Sequence, residues 1–518
     1  MTRKRIGNVT RTDSMGDREV LDLDGAGLTV GAIAAAGRRE VTVELGEVGL
    51  RQAAASQLFA DRAAQRRPLY GRSTGVGANR SVLITVAPST HALMLLRSHA
   101  TSAGEARSAE RVRAMLVVRL NQLATGGSGV DPSVLSGLLG MIRADALPDV
   151  RELGSIGTGD LSALATTALA LMGEGATGAP LGAASSFGAA DGLAFISSNA
   201  ATLADAALAV ASLRESARAA LVIAALTFHA VGGNAEAYSG GAMLTTPFPG
   251  ARAVCDVLRD LLGADPTGDR TDASGNPIPP ARIQDPFGLR ALPQVHGPVL
   301  DQITAAVAVI EALVNAPTEN PLVRADGGNG DSGTVAHHAG FHQAYLQMAL
   351  DTLGLAVAQS GQLVMARVAT LVEPNFTGLA PFLGDGTPGA SGVMVCEYVA
   401  ASALGSIRGA AAPAGLQTVT LSRGVEEDAS FASLAATQCL LIAERYRTLL
   451  ACELVAAVRA VRMQNGTGQG EQRRAAAGRI GQVLALCAEL PSDVADRDLT
   501  NDLAAAVELL PALAGLVS

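Results

Sequence analysis

The sequence predicts a mainly α-helical protein made of long helices. Three observations carry this. Of 518 residues, 48% are hydrophobic but only 3% aromatic, with no Trp, so Ala, Leu and Val must fill the core. Ala and Leu are strong helix formers. Apolar residues recur at helical spacing, as in Val299, Ile303, Val307, Ile310 and Val314, and strand-like alternation is scarce.

In chain order, residues 1–45 alternate charge and glycine and contain TVGAIAAAGRREVTVEL, which reads as mixed structure. Helical pattern begins near Leu50. Residues 66–90 interrupt it with a polar, Gly-containing loop longer than a connector needs to be. Helix resumes from His91 to Leu123, and Asp131 with Pro132 marks another helix start. A second Gly-rich interruption, LGSIGTGDLSALA, precedes a further helix. Residues 203–262 are helical with breaks at Gly232, Gly233 and 247–250, and 264–282 is the clearest loop. Residues 324–340, rich in Gly and His, read as a surface or active-site loop. Long helices are expected over 341–370, 392–411 and 426–463, and two short amphipathic helices over 471–518. The organisation expected is an N-terminal mixed domain 1–200 with both Gly-rich loops, a central long-helix bundle 201–465, and C-terminal short helices 466–518.

Composition narrows the function. With 39 Lys+Arg against 48 Asp+Glu the net charge is −9, so no basic face and no nucleic-acid partner are expected. Lys4 is the single lysine, which excludes Schiff-base chemistry and a Walker P-loop. Cys255, Cys396, Cys439, Cys452 and Cys487 show no C-x-x-C spacing, so neither a disulfide framework nor a zinc site is expected, and the compartment expected is cytoplasmic. The opening residues carry no apolar stretch of secretory type. The apolar runs 219–234 and 352–366 fall short of the ~20 residues of a bilayer span, so they read as core helices, with no membrane partner.

Several uncommon segments occur in a fixed order. They are LYGRSTGVG (69–77), LLRSHATSAGE (95–105), VRAMLVVRLNQLATGGSGV (112–130), GSIGTGDLSALATTALALMGEG (154–175), QDPFGLRALPQVHG (284–297), NAPTENPLV (315–323), GFHQAYLQMALD (340–351) and SGVMVCEYVAASAL (391–404). Together they resemble the aromatic amino acid ammonia-lyases, the family of histidine, phenylalanine and tyrosine ammonia-lyases and aminomutases. The resemblance covers roughly residues 50–460. It implies a mainly α, long-helix bundle of the ammonia-lyase (fumarase/aspartase-like) type. It also implies a homotetramer acting on a small molecule, each site assembled from three subunits.

The resemblance further implies an electrophile, a 4-methylidene-imidazol-5-one (MIO) ring made from an internal Ala-Ser-Gly. The Gly nitrogen attacks the Ala carbonyl and the Ser loses water. The ring activates the substrate amine while a Tyr removes a β-proton. Here the sequence departs from the family. In place of Gly-Ser-x-Gly-Ala-Ser-Gly-Asp-Leu it reads Gly154-Ser155-Ile156-Gly157-Thr158-Gly159-Asp160-Leu161. One residue is missing and Thr158 stands where the serine would be. Either Gly157-Thr158-Gly159 cyclises to an ethylidene ring, or no ring forms; the second is the expectation, because a shortened turn and a secondary hydroxyl both oppose closure.

Other positions are carried over one by one. Tyr70 matches the family's base, and its phenol needs help from helix N-termini or from Arg290 to act near neutrality. Arg290 matches the carboxylate-binding arginine, within a segment that also carries Gln284. His99 matches a histidine near the substrate ring; Phe341 and His342 match the Phe-His pair of histidine-lyase-like members; Asn320 lies in the matching Asn-Pro segment. Phe287 replaces a second tyrosine, Ser197 the site asparagine (Asn199 lies two residues on), and Ser73 the asparagine of the first loop. In VEEDASF (425–431) the partial match leaves Glu427 and Asp428. His337 and His338 are additional; with His342 they read as solvated or pocket-lining, with no metal expected. Three functions follow: a ring-free enzyme using Tyr70 for elimination, isomerisation or cyclisation of an amino-acid-derived or specialised metabolite; an orthodox ammonia-lyase or aminomutase with a Thr158-derived ring; or a non-catalytic homologue.

Overall fold

A computed structural model describes residues 9–12, 18–174, 187–188, 191–272, 274–466 and 478–517. Most of the charged opening, the end of the 154–175 motif, and 467–477 of the expected C-terminal segment lie outside the described residues. The fold is mainly helical, as expected from composition. Four helices dominate: Ala200–Val231, Leu292–Val314, Ala344–Val372 and Ala432–Gly466.

The chain forms two compact units, each discontinuous in sequence. The first takes residues 1–211, 306–351 and 413–437. The second takes 212–305, 352–412 and 438–518. This interleaved division differs from the contiguous partition 1–200, 201–465 and 466–518. It arises because the chain leaves each unit and returns to it tens of residues later.

The first unit opens with a small sheet ordered Val9–Thr12, Glu19–Leu23, Val41–Leu45. Its second pair is parallel, in register from Glu19↔Val41 to Leu23↔Leu45. The crossover that parallel strands require is the helix Val30–Gly37, capped by Thr29 accepting from the Ala32 amide. The core of this unit is the helix Ala109–Ala124, buried from Val112 to its end. Arg119 lies inside it, fully buried and paired with Glu319 at 2.7 Å, and it donates to the carbonyls of Phe195 (2.9 Å) and Ala194 (2.7 Å). Losing one partner of such a pair costs about 3–5 kcal/mol. The pair fixes the turn that carries Asn320.

Residues 324–340 are not simply a loop. They contribute to a two-stranded antiparallel hairpin, Leu322–Ala325 with Gly333–Ala336, and the histidines follow its second strand. Each strand has four residues and the turn is Gly-rich, so no alternation was long enough to read.

The second unit packs helices around a buried polar network. His296 Nδ1 meets Ser360 Oγ at 2.8 Å and its Nε2 meets the Ala217 carbonyl at 2.9 Å. Arg367 and Glu453, both buried, pair at 2.6 and 2.8 Å. The expected apolar runs understate their helices. Among the described residues, three helical stretches, Asp191–Val231, Leu292–Val314 and Ala344–Val372, are long and apolar enough to cross a membrane by length and composition. The apolar window of the first is 94% buried within the protein, that of Leu292–Val314 only 33%.

Candidate active site

A cavity of about 1250 Å³ opens in the first unit, lined by loops rather than by the long helices. Tyr70 enters it from a loop whose turn demands glycine. Gly71 has φ +69°, and a Cβ there would lie 2.0 Å from Leu193 Cδ2. Ser73 exchanges hydrogen bonds with the Leu69 backbone and closes the same turn. The Gly77 amide donates to Tyr70 Oη at 2.8 Å, leaving the phenolic proton for the cavity. Ser422 Oγ accepts from the Ala78 amide at 3.0 Å and ties this loop to 421–428. Burial pushes the Tyr70 phenol above its ordinary value; the Gly77 bond opposes this, and the Glu426 carboxylate adds to it. The expected lowering is therefore not found. Tyr70 is a neutral phenol near neutrality, suited to giving a proton.

Thr158 lines the same cavity, between two buried glycines. The 154–161 turn is held from several sides. The Gly157 carbonyl accepts from Ser430 Oγ at 2.9 Å and from the Gln343 amide at 3.4 Å. The Ile156 carbonyl accepts from the Phe431 amide at 2.8 Å. The Gly159 amide donates to Asn199 Oδ1 at 3.0 Å, and Asn199 donates on to the Phe341 carbonyl at 2.6 Å. Asp160 accepts from Thr202 and from Ser155 Oγ, while burial pushes its carboxyl up. Asn199 thus serves as a clamp on the turn, and Ser197 is the residue that lines the cavity.

The turn has no room for the alanine of an Ala-Ser-Gly triad. Gly157 has φ +85°, and a Cβ there would lie 2.2 Å from Ser430 Oγ and under 3.0 Å from the Phe431 and Ala432 amides. Both groups that closure would join, the Gly159 amide and the Gly157 carbonyl, are engaged in hydrogen bonds to neighbours. The residues present do not fit the family's ring-forming element. Phe431, which supplies one of the clamping amides, itself sits at φ +52°, an unusual value for a bulky side chain.

His99, Asn320, Phe341, His342 and Glu427 also line this cavity, with Arg80, His337, His338, Glu426 and Asp428. Asn320 is fixed at both ends: its amide donates to Ser197 Oγ at 2.9 Å and its Oδ1 accepts from the His338 amide at 3.0 Å. His342 Nε2 lies 3.3 Å from an Asp428 carboxylate oxygen without the alignment of a hydrogen bond. Among the described residues, no three His, Cys, Asp or Glu side chains are placed to hold a metal ion.

Gln284, Phe287 and Arg290 do not share this cavity. They line a second, smaller one of about 480 Å³ in the second unit. The Arg290 guanidinium stacks 4.6 Å from the Phe287 ring centroid and donates to the Asp285 carbonyl at 3.1 Å. The family resemblance had grouped these residues with Tyr70, and sequence order carries no information about which cavity a segment joins. Arg80 and Glu426 were missed: Arg80 lies three residues past the 69–77 segment, and Glu426, though inside 425–431, is not one of the positions kept there by the partial match, Glu427 and Asp428.

A family model described as aromatic amino acid lyase matches residues 28–482. The chain is 33% identical over 503 residues to a histidine ammonia-lyase of Symbiobacterium thermophilum, covering 94% of this chain and 96% of that protein. It is 34% identical over 411 residues to a histidine ammonia-lyase of Geobacillus kaustophilus, covering 76% and 79%. The crystal structure of histidine ammonia-lyase from Trypanosoma cruzi superposes with a TM-score of 0.82 at 25% identity, over 96% of this chain and 95% of that one.

Proposed function

Because the chain belongs to the aromatic amino acid lyase family, we propose that it is an enzyme of that fold which works without a matured MIO ring, through acid/base chemistry at Tyr70. The substrate class is a small amino-acid-derived or specialised metabolite, and the reaction an elimination, isomerisation or cyclisation. The observation that carries this reading is the 154–161 turn. Its Gly157 excludes a Cβ, its Thr158 replaces the serine, and yet it stays clamped beside a cavity into which Tyr70 delivers a phenol. A decayed, non-catalytic homologue would have no reason to keep the phenol half-enclosed at the cavity with its oxygen hydrogen-bonded by Gly77.

Tyr70 in this reading protonates the substrate atom on which charge develops, which a neutral phenol does without prior activation. Ser197 and Asn320 orient the substrate, and Glu427 offers an acceptor to a basic group. Arg290, Gln284 and Phe287 contribute from another copy of the chain, in a homotetramer. The largely unburied apolar helix Leu292–Val314 supports self-association, and light scattering at the single-chain mass would contradict it.

The test is turnover of a panel of amino-acid-derived acids, with product masses recorded before and after treatment with cyanide, a nucleophile that quenches an electrophilic methylidene. Conversion insensitive to cyanide and abolished in Tyr70→Phe is expected. Cyanide-sensitive ammonia release would return the protein to orthodox ring chemistry.

A further inference from the structure

A neutral Tyr70 leaves the cavity without its expected base, and the geometry points to His99 as the group that takes the proton. This assignment deepens the ring-free reading and rests on it. His99 ends the helix Pro88–His99 and lines the Tyr70 cavity. Its Nδ1 lies 2.8 Å from the Leu95 carbonyl. A carbonyl oxygen carries no hydrogen, so at that distance Nδ1 must hold the ring proton. Ser98 Oγ, 3.0 Å from the same nitrogen, donates its own hydrogen to the Leu95 carbonyl and accepts at Nδ1. The other nitrogen, Nε2, is then a bare lone pair, and no described residue donates to it.

The remaining histidines of the cavity differ. His338 Nδ1 accepts from the Gly340 amide at 2.8 Å, which puts its proton on Nε2, and that atom is shut off from water. His337 Nε2 accepts from the Tyr70 amide at 3.4 Å. His342 Nε2 is also screened from solvent. Among these, His99 is the one whose ring hydrogen is fixed on Nδ1 while its Nε2 is neither hydrogen-bonded nor shut off from solvent.

The step balances with Tyr70. A substrate C–H bond breaks, its proton bonds to His99 Nε2, and the electron pair moves into the substrate. The atom that receives the charge, or the group that departs, takes the Tyr70 phenolic proton. The imidazolium keeps its Nδ1–H on the Leu95 carbonyl. The phenolate keeps the Gly77 amide. Proton return from imidazolium to phenolate resets both groups after product leaves.

The experiment is carbethoxylation of the native full-length protein by diethyl pyrocarbonate at about pH 8, where ordinary imidazole is uncharged. Tryptic peptides separate the candidates: 98–107 contains only His99, and 325–367 contains His337, His338 and His342. The expected result is early and complete loss of unmodified 98–107 while 325–367 lags. In parallel, imidazole nitrogen NMR of the labelled protein, with His99→Gln for assignment, places the His99 hydrogen on Nδ1. Resistance of 98–107 while 325–367 is modified, or a hydrogen on His99 Nε2, overturns the assignment. Neither readout involves 154–161, so ring formation, read from the mass of that stretch, fails or holds separately.

Discussion

The two Gly-rich loops of the first unit differ in what they hold still. In 69–77 the backbone is arranged to present one side chain. Gly71 permits a turn against Leu193, Gly77 binds the Tyr70 oxygen, and the phenol reaches the cavity. In 154–161 it is the backbone itself that is gripped, by Ser430, Gln343, Phe431 and Asn199, while the side chain at its centre, Thr158, makes no hydrogen bond to any described residue. A site can therefore keep the support of a backbone-derived electrophile after the residues that would make it have changed. What the second loop keeps is the clamp; what the first keeps is a phenol presented to the cavity.

The largest expected effect breaks the first loop's role. Tyr70→Phe removes the proton and keeps the ring in place, so turnover should fall by about 10²–10⁴-fold with the circular dichroism spectrum unchanged. Unaltered kcat would remove Tyr70 from the mechanism. Next, Gly157→Ala forces a Cβ to 2.2 Å from Ser430 Oγ at a positive φ, and a loss of about 2–4 kcal/mol in urea unfolding is expected. A near-neutral alanine would mean the turn is free to accept the family's residue.

Acid separates the loops from the helical core of the second unit. His296 is fully buried, and burial pulls its imidazole down to about 4 from 6.5. The unfolded chain takes up a proton between those values and the folded chain does not, so stability is complete above ~6.5 and falls as pH drops toward 4, by at most about 3 kcal/mol. Urea unfolding followed across that window should show a shallower decline in His296→Gln; an identical decline would place the acid sensitivity elsewhere. The smallest effect tests the clamp. Asn199→Ala strands the buried Gly159 amide, at a cost of about 1–3 kcal/mol. Amide hydrogen exchange at Gly159 should speed up, with exchange at the Gly77 amide unchanged.

The helical class was legible because composition and 3.6-residue periodicity are local properties. So was the altered turn, since a missing residue and a threonine can be read directly. The clamp was not legible. Ser430 reaches Gly157 across 273 residues of sequence, and only the fold makes them neighbours. Asn199 looked displaced from the site by two positions, yet that displacement is what places it under Gly159. The protonation of Tyr70 was misread for a similar reason: it depends on burial and on Glu426, and sequence supplies neither. Arg290 shows the converse limit, an unmistakable motif whose cavity the motif does not specify.

The central claim is that 154–161 stays ordinary backbone, and intact-protein mass spectrometry with peptide mapping tests it most directly. Ring closure expels one water and dehydration of the Thr158 hydroxyl a second. The account predicts the unmodified sequence mass, with no ultraviolet band from a conjugated ring. A species two waters lighter, with the loss mapped to the peptide that contains Gly157, Thr158 and Gly159, would contradict it.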